Sequence, residues 1–200
     1  MKIGILALQG SVIEHSKMLS LLSDGGAYGV VGVVEVKTPA QLAAVDGLII
    51  PGGESTTIGK LLKDFDIFEP LKARISSGMP VWGTCAGMIL LAKEVVGEAP
   101  HLGLMDVRVK RNAFGRQIAS FSTEVAIPEI SSAGPKIPLV FIRAPWIEDA
   151  GKAVESLCIV DERIVAARQG NMLVTSFHPE LTLDTRVHEY FLKIVQEAIG

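Results

Sequence analysis

Four times along this chain a short apolar run gives way to a turn that carries glycine or chemically reactive residues. Leu8-Gln9-Gly10 closes the run at residues 2–8, and Pro51-Gly52-Gly53 closes the run at 47–50. Cys85 follows Pro80-Val81-Trp82, and His178 follows the run at 172–177. Helical patterns separate most of these runs. Strands alternating with helices imply an α/β, doubly wound, mostly parallel sheet with helices on both faces. In such a sheet ligands bind outside the carboxyl ends of the strands. Four distant segments therefore converge on one edge.

The elements between them read as follows. Ser11-Val12-Ile13-Glu14 has capping-box spacing and predicts a helix to about residue 23, ending at Gly25-Gly26. A strand is expected over 29–36, and a short helix opens at Thr38-Pro39 with proline in its first position. Next come a strand at 47–50, helices to about residue 77, a strand at 80–83 and a helix over 88–93. Residues 104–174 change to shorter, alternating strands, and 182–199 form a terminal amphipathic helix. No repeat, linker or low-complexity segment interrupts the pattern, so residues 1–200 read as one domain.

Cys85 stands in Gly83-Thr84-Cys85-Ala86-Gly87, a cysteine version of the G-x-S-x-G elbow. A sharp strand-to-helix turn strains the nucleophile's backbone and needs small neighbours, which Gly83 and Gly87 supply. The thiol falls at a helix N-terminus, where the dipole favours a thiolate. The N–H of Ala86 is then a candidate oxyanion donor. Alone, the motif would suit a buried packing cysteine better. The convergence of the other segments decides for chemistry.

His178 and Glu180 are separated by Pro179. In an extended segment their side chains share a face. Glu180 can then hold the ring of His178 and stabilise the imidazolium formed when Cys85 loses its proton. Pro179 ends the strand, which puts the pair at its tip. Pro51-Gly52-Gly53 runs into a helix opening at Ser55 or Thr56, and the N–H of Gly53 is a candidate second oxyanion donor. P-loop spacing is absent. Arg111 and Arg143 are open on sequence alone, although an arginine suits the α-carboxylate of an amino-acid substrate. Arg108 and Lys110 read as a solvated strand face. His15 and His188 read as surface or packing residues of helices, and His101 as a loop residue.

The 48% hydrophobic content fits one sizeable core, and a net charge of −3 leaves no footprint for nucleic acid. No apolar run reaches membrane-spanning length, and the start has no signal-peptide pattern. A cytoplasmic setting is expected. Of the two cysteines, Cys158 in Leu157-Cys158-Ile159-Val160 reads as core rather than as a disulfide partner of Cys85. No cluster has metal-ligand spacing, so neither metal nor cofactor is expected.

Taken together, these segments resemble the glutaminase subunits of pyridoxal 5′-phosphate synthase, which are class I glutamine amidotransferases of flavodoxin-like fold. The resemblance covers nearly the whole chain. Its more specific markers are Pro51-Gly52-Gly53-Glu54-Ser55-Thr56-Thr57, Arg111-Asn112-Ala113-Phe114-Gly115-Arg116-Gln117 and Phe141-Ile142-Arg143-Ala144-Pro145. It implies Cys85, His178 and Glu180 as nucleophile, base and orienter. It implies L-glutamine binding at Gly53, Glu54, Ser55, Arg111, Ile142 and Arg143. It also implies a synthase partner that receives the ammonia and builds pyridoxal 5′-phosphate from ribose 5-phosphate and glyceraldehyde 3-phosphate. Two alternatives stay open. One is the glutaminase subunit of another class I amidotransferase, such as imidazole-glycerol-phosphate synthase. The other is a non-enzymatic regulatory module on the same fold.

Overall fold

A computed structural model describes residues 1–23, 31–111, 120–132 and 134–200. The expected helix end at Gly25-Gly26, the start of the second strand at Gly29 and the marker residues Asn112 to Gln117 lie outside them. In chain order the first part comprises β1 (Lys2–Leu6), α1 (Val12–Ser23), β2 (Gly32–Val36), α2 (Pro39–Ala43) and β3 (Gly47–Ile50). It continues with α3 (Ser55–Asp64), α4 (Phe68–Ser76), β4 (Val81–Thr84) and α5 (Ala86–Leu91). Then come β5 (Ala92–Val95), β6 (Met105–Lys110), β7 (Ser120–Val125), β8 (Ile137–Ile142), β9 (Trp146–Ala150), β10 (Glu155–Val160), β11 (Arg163–Gln169) and β12 (Met172–Thr175). A 3-10 turn, Pro179–Leu181, and α6 (Arg186–Ile199) close the chain.

Among the described residues the main sheet runs β2-β1-β3-β4-β12-β11-β9-β6-β5, with β10 paired to β11. From β2 to β12 every pairing is parallel. β11 turns antiparallel to β12, and β7–β8 is a separate hairpin. The parallel strands send alternate side chains to opposite faces, as period-two geometry demands. Leu48 and Ile50 join one core cluster with Leu42 of α2, Ile58 and Leu62 of α3 and Leu71 of α4. Ile49 joins the other, with Leu19 of α1, Phe191 and Val195 of α6 and Phe141 of β8. The sheet is thus doubly wound, and both faces are covered.

Several boundaries differ from the sequence reading. β1 ends at Leu6 rather than Leu8. The predicted helix over 88–93 stops at Leu91, because the carbonyls of Leu90 and Leu91 accept the N–H groups of Leu102 and Leu104, both at 3.0 Å. Ala92 onward then pairs as a strand with β6. The terminal helix starts at Arg186, four residues late. Before it, Thr182 Oγ1 donates to Pro179 O at 2.8 Å, and Asp184 accepts the Arg186 N–H at 3.0 Å. These side-chain bonds compete with a helical start. Thr38 caps α2 through the Gln41 N–H at 3.3 Å, with Pro39 at the first position as expected.

Candidate active site

β3, β4 and β12 are neighbours at the centre of the parallel sheet and β1 flanks β3, so the turns after all four open on one edge. Cys85 leaves β4 with φ 48° and ψ −99°. Such angles cost a non-glycine residue on the order of 1–3 kcal/mol. They are fixed by the Cys85 N–H donating to Thr175 O of β12 at 2.8 Å and by the Met88 N–H donating to Cys85 O at 3.1 Å. Space is as decisive as strain. A Cβ on Gly83 would lie 2.5 Å from the Gly87 carbonyl carbon, and a Cβ on Gly87 would strike the Ile50 carbonyl. α5 spans only six residues, so it offers first-turn N–H groups rather than the field of a long helix.

His178 and Glu180 do pair, Nδ1 to Oε1 at 2.8 Å, but not in the extended geometry that their spacing suggested. β12 ends at Thr175, and His178 stands at the entrance of the 3-10 turn Pro179–Leu181. Pro179 presets the angles of that turn, which brings Glu180 back onto the ring. The His178 N–H donates to Val140 O at 2.8 Å, tying the β7–β8 hairpin to the site. Both side chains are buried. Burial opposes a charged ring at His178, yet hydrogen bonds to Cys85 and Glu180 outweigh it and push its pKa up to about 10. Burial also opposes charge on Glu180, but the neighbouring His15 and His178 rings hold its carboxyl below the usual range. A ring that keeps its proton beside a thiol is the arrangement a thiolate nucleophile needs.

The turn after β3 is stitched to the turn after β1. Gln9 Oε1 accepts the Glu54 N–H at 2.9 Å, and Gly52 O accepts the Ser11 N–H at 3.3 Å. That Ser11 N–H is the group a capping box would have given to Glu14, so the predicted box is not closed. Gly52 and Gly53 do not need left-handed angles; Gly10, at φ 108°, does. What excludes larger residues at 52 and 53 is contact. A Cβ on Gly52 would meet the His178 ring, and one on Gly53 would lie 2.8 Å from Gln9 Oε1.

Helix α3 opens at Ser55, as expected, and is capped by Glu54, whose carboxylate accepts the N–H groups of Thr56 and Thr57 at 3.2 and 2.7 Å. Slight burial opposes its charge, but these bonds, the Thr57 hydroxyl and Arg111 lower its pKa to about 2. Arg111 reaches Glu54 at 2.9 Å and Glu98 at 2.8 Å. Ile142 ends β8, and Arg143 follows at φ 44°. Gly53, Glu54, Ser55, Arg111, Ile142 and Arg143 line one cleft of about 520 Å³ with Cys85, Ala86 and His178. Glu180 stands behind His178, outside its lining.

Three other expectations concern residues away from the cleft. Cys158 is core, its thiol pushed up to about 11 by burial and the charge of Glu129. Arg108 and Lys110 are exposed beside Glu148. His15 and His188 are not surface residues: both are fully buried, directly behind the site. A signal was present. His15 lies on the apolar stripe of Met18, Leu19 and Leu22, and His188 on that of Val187, Phe191 and Leu192.

A doubly wound sheet that sets a cysteine elbow against a buried His–Glu pair defines the class I glutamine amidotransferase architecture. The chain belongs to the SNO glutamine amidotransferase family, whose model matches residues 5–197. It is 53% identical to "Pyridoxal 5′-phosphate synthase subunit PdxT" of Carboxydothermus hydrogenoformans, covering 98% of each chain. It is 55% identical to the protein of the same name from Herpetosiphon aurantiacus, over 96% of this chain and 99% of that one. A solved structure described as a glutamine amidotransferase superposes with a TM-score of 0.86 at 42% identity, over 97% of this chain and 98% of that one.

Proposed function

We propose that residues 1–200 act as one glutaminase unit that hydrolyses L-glutamine to L-glutamate and ammonia for pyridoxal 5′-phosphate synthesis. The observation that carries this reading is the buried His178–Glu180 pair at 2.8 Å, facing a thiol held in a strained elbow. The thiolate of Cys85 attacks the side-chain amide carbon of glutamine. Negative charge moves to the amide oxygen, which rests on the N–H groups of Gly53 and Ala86. His178 gives its proton to the nitrogen, the C–N bond breaks and ammonia leaves a thioester. His178 then takes a proton from water, the hydroxide attacks the thioester, and glutamate departs as the thiolate re-forms. Arg111 suits the α-carboxylate of the substrate, with Glu54, Ser55, Ile142 and Arg143 completing its cleft.

The ammonia passes to a synthase partner, which performs the sugar chemistry. Support comes from the full-length similarity to PdxT-named chains. The Gly52–Gly53 peptide, restrained by one long bond from Ser11, gives the partner a group to reorient. One oxyanion donor is worth roughly 100- to 1000-fold in rate, so turning one N–H would suffice as a switch. Ammonia release from glutamine, measured for the chain alone and with excess synthase, is the test. Weak turnover alone and strong turnover together is expected. Equal rates would remove the switch, and no glutamine turnover in either condition would remove the function.

A further inference from the structure

Behind the triad lies a pair of rings that this chemistry does not use. His15 of α1 and His188 of α6 meet with Nδ1 of His15 at 3.0 Å from Nε2 of His188. The other nitrogen of His15, Nε2, lies 3.6 Å from Glu180 Oε2 and 3.4 Å from Thr84 Oγ1. Glu180 Oε1 is engaged by His178, whereas Oε2 accepts no hydrogen bond from the described protein. The carboxylate is thus flanked by an imidazole at each oxygen. Trp82 packs edge-on against both rear rings, at centroid distances of 5.4 Å from His15 and 4.8 Å from His188.

The protons can be placed. Burial, the largest influence on each, keeps both rear rings neutral: it lowers His15 against the pull of Glu180 and Glu14, and lowers His188 further. Two neutral rings carry two N–H groups. If His15 donated from Nδ1, it would turn a bare lone pair on the Glu180 carboxylate. His188 would also strand its proton on Nδ1, which has no partner in the described protein. A buried orphan donor is costly. The opposite arrangement has His188 Nε2–H donating to His15 Nδ1. It leaves a lone pair, not a proton, at His188 Nδ1, and it puts the Nε2–H of His15 on the side facing Thr84 Oγ1 at 3.4 Å and Glu180 Oε2 at 3.6 Å.

We infer that His15 is a positioning residue for the hydrolase triad, its tautomer set by His188, and that its Nε2–H holds the rear oxygen of Glu180. At 3.6 Å the contact is a charge–dipole interaction rather than a formed hydrogen bond. It still favours the carboxylate over the neutral acid, and so keeps Oε1 an acceptor for His178. The titratable groups facing this centre are His178 and Glu180 from the segment after β12, Glu14 and His15 on α1, His188 on α6, and Cys85 beyond His178. Among these, His15 alone faces the rear oxygen of Glu180.

The inference rests on the glutaminase reading and is tested on the chain with its synthase partner. His15→Leu is expected to lower kcat for glutamine about tenfold, with little change in KM. It is also expected to move the acid limb of the kcat/KM profile to higher pH, because Glu180 then protonates more readily. His15→Gln, whose amide N–H can occupy the position of Nε2–H, should restore most of both. His188→Phe should cost less than His15→Leu. Ring 15N spectra of the wild type should show His15 neutral and protonated at Nε2. That measurement holds even if a variant fails to fold. A protonated Nδ1 on His15, or an acid limb unmoved in folded His15→Leu, would overturn the inference while leaving the hydrolase intact. A wild type without glutamine turnover would instead overturn the glutaminase reading.

Discussion

Glu54 lines the cleft and Glu180 stands behind its His178 wall; both are held below the usual carboxylate range, yet in opposite surroundings. Glu180 is 5% exposed, with a ring at 2.8 Å and a second behind it. The Glu54 side chain is 47% exposed, and its partners are two helix N–H groups, the Thr57 hydroxyl and Arg111. Removing one member of a buried pair strands the other without water, and the cost is large. An exposed pair is screened by salt and solvent and contributes little to stability. One wall of the cleft is therefore built for fixed chemistry. The other is built from charges that can be exchanged for those of a substrate.

The largest effects should fall on the buried wall. Cys85→Ala and His178→Asn are each expected to lower glutamine turnover by about 10⁴-fold or more, and Glu180→Gln by less, because the carboxylate only orients and stabilises the ring. In steady-state assays the double variant His178→Asn with Glu180→Gln should be little worse than His178→Asn alone. Additive losses would break the coupled triad, and with it the contrast between the walls.

On the exposed wall the change should appear in KM. Arg111→Ala is expected to raise KM for glutamine by about 10- to 100-fold, the worth of a charge-assisted hydrogen bond, with kcat less affected. Because salt screens the attraction between Arg111 and a substrate carboxylate, added salt should raise the wild-type KM and leave that of the variant nearly flat. A loss confined to kcat would place Arg111 on the chemical side instead.

Much of this was legible in advance because local rules and tertiary structure agree. Gly83 and Gly87 are demanded by the elbow itself, and the parallel strands follow from their apolar runs. What was not legible depends on distant partners. That Arg111 bonds the Glu54 carboxylate at the start of α3 depends on a partner 57 positions away. That His15 and His188 touch follows from packing two helices 173 positions apart against Trp82. Their place on apolar stripes marked them as buried, but nothing local marked the carboxylate they face. The His178–Glu180 pair was found for the wrong geometric reason, since Pro179 starts a 3-10 turn rather than ending an extended strand.

A smaller effect concerns pH. The pKa of His178 is raised to about 10, above an unfolded value near 6.5. The stability it contributes is therefore fully present below the unfolded value and is lost as pH rises through the folded one. Thermal unfolding from pH 6 to pH 10 should show wild-type Tm falling relative to that of His178→Asn. Parallel curves would mean that the ring is neutral in the folded protein.

The smallest expected effect is at the second cysteine. Cys158 lies on β10 in the core that contains Leu157, Val165 and Phe177, and its thiol is raised to about 11 by burial and the charge of Glu129. It stays protonated at any physiological pH, and the thiolate is the reactive form. Cys158→Ala should leave glutamine turnover within about twofold and cost roughly 1 kcal/mol of stability, the price of one small deleted core group. Brief treatment of the native protein with iodoacetamide should alkylate Cys85 and spare Cys158, as read by peptide mass, and inactivation should track the modified Cys85 peptide alone. Equal labelling of both thiols would show that elbow and core do not differ in reactivity. The distinction between a strained, imidazole-paired cysteine and a packed one would then lose its chemical meaning.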